Sequence, residues 1–571
     1  MARIKQKRAS TTVFSCKFGG IGNRDTHSGM GAEDLCNFCI SQDGSLHTRS
    51  GFRLHASFAE GSVVRGAWEG TLDGTPYRFA AVGSTVYRWD ANTTDAQEVG
   101  TIADGDGLVE FCSYRDQLYL LDGSSILVYR PSYDQFMPLE AYAPLYGMNW
   151  HPTAYGDVYE EINLLSPRLR VHYHNATSSK AFVLPFYAEK IDQLRADGRV
   201  STAFTFTTGD NTVYLTSSSA PSTVEIAFTV SLNEETRAQM LSAQRAYVHR
   251  DEGKERMFLF GSDSRLYYSQ PVDEISRLAA KVFYPNSDPL YFRSDDVLFL
   301  GDASSPVTSL CPMYHALLAF TAERVYCITF SDGAPDVIPA LEGFGCRSFF
   351  GTVARNHEVL ALCNGGLYTL SASSSHPEQI SLKCLSDEIE GRIPKAAFAN
   401  MHLLRYTERD EIWLRDPENT SGEVWVWNCA LKTWYRFSNI EAAFFFQCNG
   451  QVGFACGNAL YVFDPTVHTD DGAEIISIYK TGYLDFDAPE QIRRSLRAIL
   501  CADINGGGGY FSLENERGNR IYSLKAQAQG DLPDYYDFRA SGGRFRFVRV
   551  TASLSTSALS HLYRCDLYTK P

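Results

Sequence analysis

The sequence predicts an all-β protein: a β-propeller of about seven blades, interrupted by a small inserted β-domain and followed by a C-terminal β-sandwich. Three observations predict it. A short apolar hairpin motif returns seven times. Its spacing breaks once, by about one domain's length. The pattern then changes after Pro465. With 571 residues the chain exceeds what one hydrophobic core can organise, so about three or four domains are expected. Apolar residues make up 44% and aromatics 13%, and the wealth of Tyr and Phe favours strands over helices.

The motif is a run of small or apolar residues, a Gly- or Asp-bearing turn, and a strand carrying an aromatic. Its copies are Phe79–Trp89, Leu118–Arg130, Met257–Ser269, Leu317–Thr329, Val359–Leu370, Glu411–Asn428 and Val452–Asp464. Two β-rich runs around a tight connection are a β-hairpin in sequence form. One hairpin core per period of roughly 40 to 55 residues is what a propeller produces.

Residues 1–60 are read as an N-terminal arm and an opening hairpin. Leu35, Asn37, Phe38 and Ile40 form its first strand, Gln42-Asp43-Gly44 the turn, and Leu46–Thr48 the return. Arg49 and Gly51-Phe52 lead on to the first propeller segment, 61–145. The interval between the second and third copies leaves an insertion of about 100 residues, 146–245. Alternation at Leu169–His174, Phe204–Phe206, Thr212–Leu215 and Val224–Val230 makes it a small sheet or sandwich. A helix over Asn233–Tyr247, with Met240, Leu241, Ala243 and Tyr247 on one stripe, closes it. The propeller resumes over 246–474. Residues 475–571 form the sandwich, with strands at Ile475–Phe486, Leu496–Asp503, Tyr510–Glu516, Arg520–Leu524 and Arg544–Ala552. The Gly506–Gly509 run is read as a turn, and Arg544-Phe545-Arg546-Phe547 as a strand of period two.

The net charge of −15 argues against a nucleic-acid-binding surface, which needs clustered Lys and Arg. It suits solubility, and it suits a wall past which DNA slides without sticking. No run of 18 apolar residues occurs, so no membrane-spanning segment is expected. Met1–Ser10 is basic with no apolar stretch after it, unlike a secretory signal. Fourteen cysteines, many alone inside strand cores, read as buried small hydrophobes in a reducing cytoplasm.

A search for chemistry returns no catalytic, cofactor-binding or metal-binding residue. A glycosidase needs two carboxylates across a cleft. The adjacent acids Asp410/Glu411, Asp251/Glu252 and Asp295/Asp296 are expected to be solvated loop residues. Ser41-Gln42-Asp43-Gly44 and Ser331-Asp332-Gly333 do not match the repeated turns of sialidases. Cys36 and Cys39 form a lone Cys-x-x-Cys whose sulfurs should diverge on a strand. His151, His172, His174 and His249 lack the spacing of a ligand set. Neither a Gly-x-Ser-x-Gly elbow nor a phosphate-binding glycine loop occurs. The chain is expected not to be an enzyme and to need no cofactor.

Three segments carry a family resemblance. Asp34–Phe52 (DLCNFCISQDGSLHTRSGF) resembles the opening element of bacteriophage virion proteins, with an Asn-bearing apolar strand, an Asp-Gly-x-Leu turn and a basic-x-Gly-Phe close. Glu160–Val171 (EEINLLSPRLRV) is similar to the "Asn-Leu-Leu-Thr/Ser-Pro" lead into the inserted β-domain of such proteins. Lys480–Leu500 (KTGYLDFDAPEQIRRSLRAIL) resembles their C-terminal sandwich. The order of parts is like that of tail nozzle (tail tubular) proteins of short-tailed phages. Ser50 stands where Pro is usual, and Cys36 and Cys39 replace commoner aromatic or polar residues.

The resemblance implies a structural virion component, a ring-forming tail or neck protein around the DNA-ejection conduit. It implies a cyclic homo-oligomer, six copies by analogy, that meets other tail, adaptor or portal proteins. DNA would pass without specific binding, and assembly would take place in the host cytoplasm. The competing reading is a fibre-associated, receptor- or glycan-binding propeller with Trp150, Tyr155 and Tyr187 lining a pocket; a carbohydrate-active enzyme is a third.

Overall fold

Each of the seven hairpin motifs forms two adjacent inner strands in a computed structural model of the chain: five lie in separate four-stranded sheets, and the two at 411–428 and 452–464 belong to one larger sheet of 14 strands. The structure describes residues 12–16, 18–22, 31–90, 96–153, 156–231, 234–251, 253–302, 304–331, 334–448, 450–486, 488–527 and 534–570. The fold is all-β: a propeller of seven blades among the described residues, interrupted by an inserted β-domain and followed by a β-sandwich. The chain divides into two compact units, one of residues 1–64, 68–70 and 346–571, the other of 65–67 and 71–345.

Blade 1 is built from Val64–Leu72, of which residues 64 and 68–70 are assigned to the first unit, and from Thr75–Val82, Thr85–Arg88 and Gln97–Thr101 of the second. Blade 2 follows with Glu110–Tyr114, Gln117–Leu121, Ile126–Arg130 and Gln135–Pro138. Blade 3 is Arg245–Asp251, Lys254–Phe260, Arg265–Tyr268 and Val297–Phe299, and blade 4 is Ser309–Met313, Ala316–Phe320, Arg324–Ser331 and Ala334–Glu342. Middle strands are flanked on both edges by their own sheet and covered on both faces. Ile126–Arg130 and Ala316–Phe320 are therefore buried at every residue, and both read as apolar runs, broken only by Arg130, which pairs with Asp288.

Between blades 2 and 3 lies the inserted domain. Its larger sheet orders Leu145–Trp150, Arg168–His174, Thr223–Val230, Ala188–Ala196 and Arg199–Val200; the smaller holds Ala181–Val183, Thr212–Leu215 and Phe204–Thr205. Trp150, Leu169, Val171, Tyr173, Phe182, Val213 and Phe228 fill the space between them. The expected helix is shorter than its apolar pattern suggested: α1 spans Glu234–Leu241, and Tyr247 belongs to the first strand of blade 3. The aromatic there serves a strand whose partners across the sheet the local period cannot show (Asn233 is outside the described residues). A second helix, α2, Glu274–Lys281, had no counterpart in the sequence reading. Asp273 caps it by accepting from the Ser276 N–H at 2.9 Å.

The first unit holds blade 5 (Thr352–Arg355, Glu358–Cys363, Gly366–Ser373, His376–Cys384) and blade 6 (His402–Tyr406, Glu411–Arg415, Val424–Asn428, Thr433–Phe437). Blade 7 takes three strands from Phe444–Cys448, Gln451–Cys456 and Ala459–Phe463 and its fourth, Phe52–Ser57, from the N-terminal region.

One sandwich sheet contains Arg493–Asp503, Asp534–Phe545 and His561–Lys570, the other Ala473–Thr481, Val548–Thr556, Gly507–Asn515 and Arg520–Gln527. The opening hairpin, Phe38–Ile40 with Leu46–Thr48, extends the first of these through Leu46 opposite Leu562. Two local expectations fail here. Gly507–Gly509 is a strand, not a turn, because the backbone of Ser555 approaches so closely that a Cβ on Gly507 would lie 2.0 Å from its carbonyl oxygen. The Arg544–Phe547 stretch ends one strand at Phe545 and turns before Val548, so its period-two pattern spans a hairpin.

Candidate functional site

The residues that carry the family resemblance are the most heavily hydrogen-bonded polar groups of their surroundings. Asn37 interrupts the expected strand: with φ at 56° it separates Ala32–Cys36 from Phe38–Ile40. Asparagine tolerates this left-handed backbone where most residues do not. Its side-chain N–H groups donate to Ser438 Oγ (2.8 Å) and Ile476 O (2.7 Å), and its Oδ1 accepts from Arg49 Nε and the Ser438 N–H. Arg49, 1% exposed, then uses all five guanidinium donors. Beside the bond to Asn37 it donates to the carbonyls of Ser50 and Ser438 and grips Asp470 with two bonds of 2.8 and 2.6 Å. The opening hairpin, the end of blade 6 and the segment before the sandwich are thus tied at one buried ion pair.

Asn163, fully buried at the start of Asn-Leu-Leu-Ser-Pro, does the same for the inserted domain. Its amide donates to Tyr142 O (2.7 Å) and Leu290 O (2.8 Å), while Oδ1 accepts from the N–H groups of Leu165 and Phe292. Glu160 accepts from Tyr142 Oη at 3.0 Å and from the Leu145 N–H at 2.5 Å; burial raises its carboxyl above the usual range. In both clusters the buried Asn and Arg side chains are hydrogen-bonded within the protein at every polar atom, as structural anchors are.

Asp295 is an exposed turn residue as expected, but three other acids of these pairs are not solvated loop groups. Glu411 is 2% exposed within a strand, accepting from Tyr435 Oη and Trp413 Nε1, and burial raises its pKa. Asp296 is 1% exposed and bound by Arg293 and Gln270. Asp410 pairs with Arg355 through two bonds of 2.8 and 2.7 Å. Glu411, Asp296 and Asp410 are each spent on a structural partner. The side chain of Asp251, together with Glu252, Asp332, Gly333 and Tyr155, lies outside the described residues.

Trp150, expected on an exposed loop, is 3% exposed and packs in the inserted domain's core, its indole donating to Asp157 O; Tyr187 is 70% exposed. Cys36 and Cys39 are both buried, and desolvation raises the Cys39 thiol to about 12. Of the four histidines considered as ligands, His249 is buried beside Phe330 and His172 sits half-buried opposite Glu225 in the inserted domain.

A cluster the sequence reading missed does gather ligand-type atoms. His55 on the N-terminal strand of blade 7, Glu69 and Cys448 at the end of the first blade-7 strand bring one donor atom each within 4.8 Å of one another. The Cys448 thiol donates to Glu69 Oε2 at 2.8 Å, His55 Nε2 is 3.4 Å from the same oxygen, and sulfur and imidazole are 3.9 Å apart. Glu69 belongs to the 68–70 stretch assigned to the first unit, with the other two. Sequence separations of 379 and 393 residues explain why no motif announced it.

No family model matches the chain. No curated protein matches it either. Among solved structures, the AfRom2 CNH domain is similar at 8% identity over 72% of this chain and 99% of its own, with a TM-score of 0.37. Extracellular domains described as those of a one-component and a hybrid two-component system from B. thetaiotaomicron are similar at 11% and 10% identity, with TM-scores of 0.25 and 0.27. They cover 72% and 83% of this chain, which spans 52% and 47% of theirs. Likenesses at these scores carry no argument about function.

Proposed function

We propose that the protein is a structural component of a phage virion, a ring-forming, nozzle-like tail or neck protein that surrounds the DNA-ejection conduit. The observation that carries this reading is the order of parts: a propeller interrupted after its second blade by a β-domain, then a sandwich, with the virion-like motifs falling at the junctions. Asn37, Arg49 and Asn163 support it because each is a buried anchor at such a junction, so these short motifs have a structural reason to exist. The net charge of −15 suits a wall that repels phosphate rather than trapping it.

A closed ring needs a heterologous, head-to-tail interface, in which one lateral surface of each copy meets a different surface of the next. Helix α2 supplies a candidate: Ile275, Leu278 and the following Val282 are 82%, 54% and 50% exposed at helical spacing, an apolar stripe facing water. In this reading the stripe packs against a second copy. Electron microscopy and light scattering of the purified full chain test it, with closed rings of uniform copy number expected. A protein that stays monomeric and is missing from particles would end the proposal.

A further inference from the structure

We propose that His55, Glu69 and Cys448 form a binding site for a zinc-class divalent cation. The inference is independent of the virion reading. The three residues offer a thiolate, an imidazole nitrogen and a carboxylate oxygen, the donor set that zinc accepts and that calcium and magnesium, which want oxygen alone, do not. At ordinary zinc bond lengths, donors on a tetrahedral ion lie about 3.3–3.6 Å apart. Here the three edges of the donor triangle are 2.8, 3.4 and 3.9 Å. The triangle already has the size of one tetrahedral face; seating an ion requires the sulfur–carboxylate edge to widen and the sulfur–imidazole edge to close.

The side chains of His55 and Glu69 are 12% and 5% exposed, and Cys448 is buried, so an ion there would lose most of its water to protein donors. Three protein donors leave the fourth position to a water molecule. Binding replaces the hydrogen bond from the Cys448 thiol to Glu69: the S–H bond breaks, its proton leaves to solvent, and the thiolate bonds the cation. All three donors sit on β-strands, which hold them more firmly than loops would. The ion would clip the N-terminal strand that completes blade 7 to that blade's first strand, across 393 residues of chain.

The test uses the full-length protein titrated with cobalt(II) and then zinc(II). One equivalent of cobalt should produce a sulfur-to-cobalt charge-transfer band that zinc abolishes and magnesium does not. Cys448→Ser should lose the band, while Cys456→Ser, at a half-buried cysteine elsewhere, should keep it. Should Cys448→Ser fail to fold, zinc protection of Cys448 in the wild-type chain, read by peptide mass after thiol labelling, decides instead. A band that survives Cys448→Ser, no band at one equivalent, or Cys448 labelling indifferent to zinc would overturn the assignment.

Discussion

Arg49 exposes what a single buried residue contributes. Replacing it with Met leaves Asp470 charged, buried and without its partner, a loss of about 3–5 kcal/mol for a broken buried pair. Lysine would not rescue it, since one ammonium cannot reach the five acceptors the planar guanidinium meets. Hydrogen exchange should show lost protection in the Ala473–Thr481 strand for both variants. Asn163→Ala strands two carbonyls and two N–H groups in the interior, at a cost of about 3 kcal/mol or more, read as a lower thermal midpoint. His47 sets a pH dependence. Burial first, then the charges of Arg409 and His561, lower its pKa from 6.5 to about 4, against the opposing pull of Asp43. A depressed histidine favours folding only while neutral, so its contribution is complete above pH 6.5 and is lost as pH falls towards 4. The thermal midpoint should drop between pH 7 and pH 5, and His47→Gln should flatten that drop.

At the scale of elements, the legible strands are the ones buried on both faces. Val424–Asn428 and Glu411–Arg415 announce themselves through continuous apolar runs with large aromatics. Outer strands such as His376–Cys384 alternate between exposed and half-buried residues and offer only a polar pattern, so the hairpins were visible and the full blades were not. Helix α2 escaped notice because its apolar spacing runs over only eight helical residues, too few to stand out as a period. Introducing charge there, as Ile275→Glu with Leu278→Glu, should dissociate rings while leaving circular dichroism and melting unchanged. Gly51 marks the opposite case, a close approach of two segments. A Cβ would lie 2.0 Å from the carbonyl oxygen of Thr469 and 2.6 Å from its nitrogen, both backbone atoms that cannot swing aside. Gly51→Ala should therefore destabilise the junction beside Asp470 by about 1–3 kcal/mol, seen as increased proteolysis between blade 7 and the sandwich.

For the whole molecule, the conduit reading makes a further demand: an acidic wall should give no stable complex with duplex DNA at physiological salt, and gel shift with the assembled protein checks this. The sequence by itself determined the number of hairpin cores, the place of the insertion and the change of architecture after the propeller, because each hairpin is written within one short contiguous stretch and the intervals between copies can be read along the chain. Only the tertiary structure decided that Phe52–Ser57 completes a blade with Ala459–Phe463, that Arg49 finds Asp470, and that His55, Glu69 and Cys448 converge. Pairing across some 400 residues depends on strand register and side-chain geometry in three dimensions, which a local apolar period does not encode.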